Sequence, residues 1–173
     1  MCFKTQKFEG QTFDEENSKY GCLVDSHENI ESIASSTEFE DSTNNRISIK
    51  KGVYIFVITN DIKRFNLSRF NRISCKNIPP LGKWASAKRS RFYSLKKDQI
   101  FYVGSNKNDC IGRCFSHINC GNDSRNDNLR LKYKKRKFMK RFLKLVFIPC
   151  DDFTDEKQVE KDIRNTYFVF LGR

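Results

Sequence analysis

Two short apolar runs, each pairing a tyrosine with a glycine two positions away, constrain this chain more than any other feature. The run 52–59 begins Gly-Val-Tyr and is rich in β-branched and aromatic residues, so it predicts a strand that carries Tyr54. The run 99–104 ends Tyr-Val-Gly and predicts a second strand that carries Tyr102. A polar Ser-Asn-Lys-Asn-Asp loop then leads out of this strand.

A helix is predicted over residues 110–120, directly after this loop. Its apolar side chains share one stripe that should face the core: Ile111, Cys114, Phe115 and Ile118. Arg113 and His117 are four positions apart, so they lie one turn apart on a neighbouring stripe and can point at one target. The plain alternative is a solvated arginine and a histidine at the helix edge. Together with two tyrosines, however, a guanidinium and an imidazole favour a site that cleaves a phosphodiester bond.

The C-terminal part predicts a third strand at 143–148, ended by a proline, and a last helix at 155–168 with Thr154 as its N-cap. One side of this helix is expected to carry Val159, Ile163, Thr166 and Phe170.

Only two glutamates follow residue 50, and they are Glu156 and Glu160. The helix dipole alone explains a carboxylate in the first turn, at Glu156, but Glu160 lies too far along the helix for that. One explanation of Glu160 is a surface ion pair with Arg164, four residues later. The other is a hard carboxylate ligand for Mg²⁺, with water at the remaining positions.

This ordered set resembles the GIY-YIG nucleases over residues 51–170: Gly-x-Tyr, Tyr-x-Gly, Arg-x-x-x-His on a helix, then a glutamate followed by x-x-Ile. The resemblance implies an α/β (α+β) fold with a small three-stranded, mainly antiparallel sheet flanked by helices. It also implies that Tyr54 is the general base and that Tyr102 orients water or phosphate. Arg113 would then hold the phosphate oxygens, and Glu160 would hold Mg²⁺ or Mn²⁺ on the leaving-group side.

A phenol has an ordinary pKa of about 10, so Tyr54 needs a nearby cation or base to ionise near neutral pH. His117 or Lys63 is expected to serve. Two features depart from the family pattern. The two tyrosines are separated by 47 residues, which indicates an insertion over 62–98, and an asparagine expected beyond the last helix is missing.

Charge is distributed unevenly within the net +12 of the chain. Residues 1–50 hold 10 acidic and 5 basic side chains, whereas residues 51–173 hold 11 acidic and 28 basic ones. The chain therefore divides into an acidic, polar arm at 1–48 and a nuclease-like domain at 49–173. The arm is expected to be a flexible leader or, alternatively, a cover over the DNA-binding face. The basic domain favours a polyanionic partner.

Basic residues interleaved with aromatic ones are the candidates for substrate binding: Lys63, Arg89, Arg91, Arg130 and Lys132. Residues 130–141 hold eight cations and no acid, a self-repulsion that phosphates would relieve. The alternatives are ordinary packing of the insertion and a solvated basic face.

Other classes of protein fit less well. No apolar run approaches the roughly 18 residues needed to cross a bilayer, and the first residues lack a signal-peptide core, so we expect a cytoplasmic protein. Seven cysteines without framework spacing predict free thiols. The series Cys110, Cys114, His117 and Cys120 is a poor zinc site because ligands on one short helix cannot close a tetrahedron.

The sequence therefore predicts a metal-dependent endonuclease that hydrolyses double-stranded DNA, with restriction, mobile-element and repair roles all open. Cutting both strands would need a homodimer or sequential nicking. The alternatives are a non-catalytic nucleic-acid-binding module on the same fold and a basic protein that associates with RNA or the ribosome.

Overall fold

The computed structural model describes residues 6–7, 12–14, 16, 18–27, 30–31, 38–67, 70, 92–119, 129, 131 and 137–171. These residues form an α+β fold. Its strands are β1 (Gln6–Lys7), β2 (Leu23–Val24), β3 (Gly52–Ile58), β4 (Ile62–Asn66), β5 (Phe92–Leu95), β6 (Ile100–Asn106), β7 (Leu143–Pro149) and β8 (Val169–Leu171). Its helices are α1 (Cys110–Asn119), a 3₁₀ helix (Lys137–Phe142) and α2 (Glu156–Thr166).

The central strand of the main sheet is β3, which is buried along its whole length. The strand order is β2-β7-β3-β6-β8. The β2–β7, β7–β3 and β3–β6 pairs are antiparallel, and β8 runs parallel to β6. A continuous apolar run such as β3 is expected where both faces of a sheet are covered.

The two helices cover opposite faces of this sheet. Tyr54 and Phe56 of β3 share a core with Cys114 of α1. Val53 and Ile55, which alternate with them along the strand, share a second core with α2 and with Phe13. Side chains alternate along a strand, so this placement separates the phenol of Tyr54 from the helix that carries Glu160.

The predicted insertion contributes β4 and β5 to a second sheet, ordered β1-β5-β4, whose strand β1 comes from the predicted N-terminal arm. Phe65 of β4 and Tyr93 of β5 both pack on Phe170 of β8, each at 5.4 Å between ring centroids. Phe65 also contacts Phe101 of β6. The insertion is therefore tied to the main sheet through aromatic side chains, and its residues 71–91 lie outside the described residues.

The described residues of the predicted N-terminal arm pack into the fold. β2 is the edge strand beside β7, and Ile30 and Phe39 are buried. The ring of Phe39 stacks on Phe115 of α1 at 4.3 Å between centroids. Glu31 pairs with Arg141 at 2.7 Å, so one acid of the arm contacts the basic stretch. Ile30 and Phe39 of the arm are therefore part of the core.

The α+β class is as predicted, and the three predicted strands are neighbours in the antiparallel order β7-β3-β6, within a mixed sheet of five strands. Two sequence predictions about the last helix need correction. The N-cap of α2 is Asp155, whose side chain accepts from the Lys157 amide; Thr154 instead donates its hydroxyl to Asp151. Phe170 lies in β8, beyond the helix.

The described helices are all too short or too polar to span a lipid bilayer.

Replacing Phe39 with alanine tests whether the arm belongs to the core. The change leaves a cavity against Phe115 and Phe147, so we expect a loss of about 3–5 kcal/mol in the free energy of unfolding. Urea denaturation measures this loss. The matched control is Phe153→Ala, because Phe153 is 99% exposed and its removal should change stability by less than about 0.5 kcal/mol. Equal, small effects of both changes would contradict the assignment.

Candidate active site

Tyr54, Tyr102 and His117 form one buried cluster on the α1 face of the sheet. The His117 ring lies 5.3 Å from the Tyr54 ring and 4.8 Å from the Tyr102 ring, between centroids. The Tyr54 hydroxyl and His117 Nε2 are hydrogen-bonded at 2.9 Å. The sequence predicted this meeting, which arises because neighbouring strands carry the tyrosines and α1 packs across them.

Gly104 leaves room for the Tyr54 ring. The two residues are directly opposite each other in the β3–β6 register. A Cβ built on Gly104 would lie 2.6 Å from Tyr54 Cζ, well inside van der Waals contact. The glycine of the Tyr-x-Gly motif is therefore needed because the phenol of the opposite strand lies directly over its α-carbon.

His117 is fully buried, and both of its ring nitrogens and its carbonyl are hydrogen-bonded. Besides its bond to Tyr54, its Nδ1 lies 3.0 Å from the Leu129 amide nitrogen, which donates to it. Its carbonyl accepts from the Leu131 amide at 3.1 Å. Burial lowers the pKa of His117 well below its usual value, and the nearby Arg113 guanidinium lowers it further. The imidazole is therefore neutral at physiological pH.

Burial raises the pKa values of both phenols. For Tyr54 the second cause is the neighbouring phenol of Tyr102, and Arg113 opposes both. For Tyr102 the second cause is the carboxylate of Glu160, and Arg113 again acts in the opposite direction. Both tyrosines are therefore protonated near neutral pH. Arg113, half-buried on α1, is the cation that favours their ionised forms.

Glu160 lies at the open edge of β6. β8 pairs with β6 only as far as Tyr102, and α2 covers the edge beyond it. There Arg164 donates to the Val103 carbonyl at 2.7 Å and to Glu160 Oε1 at 2.8 Å. The Ser105 hydroxyl donates to Glu160 Oε2 at 2.6 Å. The predicted ion pair between Glu160 and Arg164 is thus formed.

The phenols and the carboxylate approach the same part of β6 from opposite faces. The charge of Glu160 is the second cause, after burial, of the raised pKa of Tyr102. Ser105, which holds Glu160, is three residues beyond Tyr102 on the same strand.

A divalent ion would find a single protein ligand here. Among the described residues, no group of three or more His, Cys, Asp or Glu side chains could hold a metal. Glu160 Oε2 accepts one hydrogen bond from Ser105 and keeps a second lone pair. Mg²⁺ is commonly bound by one or two carboxylates, water and substrate phosphates. Glu160 therefore fits Mg²⁺ or Mn²⁺ that is bound together with a phosphate.

Of the five predicted substrate-binding residues, the structure describes one, Lys63. Lys63 is exposed on β4, beside Asp61, whose pKa it helps to lower. The remaining four lie outside the described residues: Arg89, Arg91, Arg130 and Lys132. The expectation that Lys63 activates Tyr54 thus gains no support from its position.

Sequence reasoning missed Ser105 and Leu129. A serine in a polar loop carries no signal, and Leu129 acts through its backbone, which no side-chain pattern can reveal.

Two cysteines of α1, Cys110 and Cys114, are buried in the core. Burial raises the pKa of Cys110 to about 12, so its thiol stays protonated.

No protein-family model matches the chain, and no curated protein or solved structure matches it either. The functional proposal therefore rests on the geometry of the side chains.

Replacing Gly104 with alanine should displace the Tyr54 ring, because the new methyl group would overlap it. We expect a loss of about 1–3 kcal/mol in unfolding free energy, measured by urea denaturation. Gly21→Ala is the matched control, since nothing lies within 4 Å of a Cβ at that position. If Gly104→Ala were as stable as Gly21→Ala, the close approach of Tyr54 would be refuted.

Proposed function

We propose that this protein is a metal-dependent endonuclease of the GIY-YIG type that hydrolyses phosphodiester bonds in double-stranded DNA. The observation that carries the proposal is the buried Tyr54–His117 hydrogen bond, beside Tyr102 and Arg113 and close to the carboxylate of Glu160. It is supported by the ordered motif set and by the basic character of residues 51–173.

In the proposed reaction, each group acts on one scissile phosphate. Arg113 donates to the non-bridging oxygens, where charge develops in the transition state. Tyr54 acts as general base on the attacking water, and Tyr102 orients that water or the phosphate through its hydroxyl. Glu160 would hold the divalent ion, which when bound neutralises charge on the leaving oxygen. Ser105 and Arg164 keep Glu160 at the edge of β6.

One observation favours a second candidate, a non-catalytic nucleic-acid-binding module. Both carboxylate oxygens of Glu160 already have partners, because Arg164 binds Oε1 and Ser105 binds Oε2. A glutamate in this setting is also explained structurally, as one member of an ion pair within α2 whose two residues bond to Ser105 and the Val103 carbonyl of β6. The two candidates differ in whether Glu160 is needed for cleavage.

The role of Glu160 is tested by plasmid nicking with Mg²⁺ and with EDTA. We expect Mg²⁺-dependent cutting that falls at least about 100-fold in Glu160→Gln, because the neutral amide cannot hold the metal. DNA affinity should change little. The matched control is Asp162→Asn, which removes a carboxylate from the same helix, where it accepts from Gln158, and should cut normally. Undiminished cutting by Glu160→Gln, or none by the unaltered protein, would favour the binding module.

The ionisation of Tyr54 predicts how cleavage depends on pH. Because the pKa of Tyr54 is raised, only a small fraction is phenolate at neutral pH, and that fraction grows as pH increases. The single-turnover cleavage rate should therefore rise about tenfold per pH unit between about pH 6 and 9. Circular dichroism over the same range shows whether the fold is intact. A rate independent of pH would argue against Tyr54 as the base.

A further inference from the structure

The hydrogen bonds of His117 determine where its proton lies. The Leu129 amide can only donate, so Nδ1 of His117 must offer a lone pair. A neutral imidazole with an unprotonated Nδ1 carries its hydrogen on Nε2. Nε2 lies 2.9 Å from the Tyr54 hydroxyl oxygen, which must accept that hydrogen.

The surroundings of this backbone bond keep other partners away. His117, Leu129 and Leu131 are each fully buried, so bulk water does not compete for Nδ1. The Leu131 amide donates to the His117 carbonyl, which fixes Leu131 against the last turn of α1. Moving the hydrogen to Nδ1 would place two N–H groups against each other and leave both buried donors without an acceptor.

We propose that the backbone of Leu129 fixes His117 as the Nε2–H tautomer, making His117 a hydrogen-bond donor that positions Tyr54 and stabilises its phenolate. His117 then cannot accept the proton of Tyr54, contrary to the role expected from the sequence. The Tyr54 O–H bond then breaks with transfer of its proton to a hydroxide ion or water molecule that binds with the substrate, and the phenolate keeps the hydrogen bond from Nε2. The tautomer stands on geometry alone, whereas its effect on cleavage rests on the proposed nuclease function.

The second histidine provides an internal comparison. The chain has two histidines, and Nδ1 of His27 lies 2.7 Å from the carboxylate of Asp25. A carboxylate accepts, so His27 must carry a hydrogen on Nδ1. The two imidazoles should therefore differ at Nδ1, with His27 protonated there and His117 unprotonated.

Long-range ¹H–¹⁵N NMR of the full chain labelled at histidine tests the tautomer. We expect the coupling pattern of an Nε2–H imidazole for His117 from about pH 5.5 to 8, the range over which an ordinary histidine titrates. His27→Gln assigns the signals. An Nδ1–H pattern or a charged His117 imidazole overturns the proposal, whether or not the protein cuts DNA.

Two variants at one position separate the backbone bond from packing. Leu129→Pro removes the amide hydrogen, whereas Leu129→Ala keeps it and removes most of the side chain. The Nε2–H pattern should be retained in Leu129→Ala and lost or mixed in Leu129→Pro, with cleavage lowered at least about tenfold in the proline variant. An unchanged tautomer in folded Leu129→Pro refutes the proposal. If that variant does not fold, the spectrum of the unaltered chain remains decisive.

Discussion

The structure depends on one buried hydrogen bond, between the phenol of Tyr54 on the central strand and the imidazole of His117 on α1. A polar pair inside an apolar core is tolerated only when its hydrogen-bonding groups have partners, and leaving one without a partner costs about 1–3 kcal/mol. The Leu129 amide meets that requirement at Nδ1 of the imidazole, and Gly104 leaves the space that the phenol occupies. The packing of α1 on the sheet and the chemistry of the site therefore rest on the same contacts.

The site is also constrained by the short pairing of β8 with β6, which ends at Tyr102. If β8 continued beyond Tyr102, the Val103 carbonyl would bind a neighbouring strand and Arg164 would lose that acceptor. The short strand instead leaves backbone groups that α2 satisfies with side chains, as buried or half-buried carbonyls require. As a result, Glu160 lies on α2, which covers one face of the sheet, and its charge raises the pKa of Tyr102 on the other face.

The sequence predicted the local elements well, because β3, β6, β7 and both long helices follow from apolar periodicity. It also predicted that Tyr54, Tyr102 and His117 meet, since strand pairing and a four-residue helical spacing determine that contact. It did not predict β2, β4, β5 or β8, because strands of two to five residues acquire their order from packing on the larger sheet.

The direction of the hydrogen bonds in the site could not be predicted from the sequence. The Arg-x-x-x-His pattern allows His117 to be a base, an acid or a hydrogen-bond donor. Which of these roles it takes depends on the group that contacts its Nδ1 atom. That contact comes from a backbone amide twelve residues away. The use of Glu160 was likewise undetermined, because the spacing to Arg164 predicts an ion pair and leaves open whether a metal also binds.

The charges around the site explain how an ion pair and a metal ligand can be the same residue. With both tyrosines and His117 neutral, the charged residues of the described site are Arg113, Arg164 and Glu160, which together carry +1. A divalent ion alone would be repelled by two guanidinium groups while binding one carboxylate oxygen. A phosphate beside it supplies the missing negative charge and further oxygen ligands. In the proposed nuclease, metal and DNA therefore bind cooperatively, since each makes the site more favourable for the other.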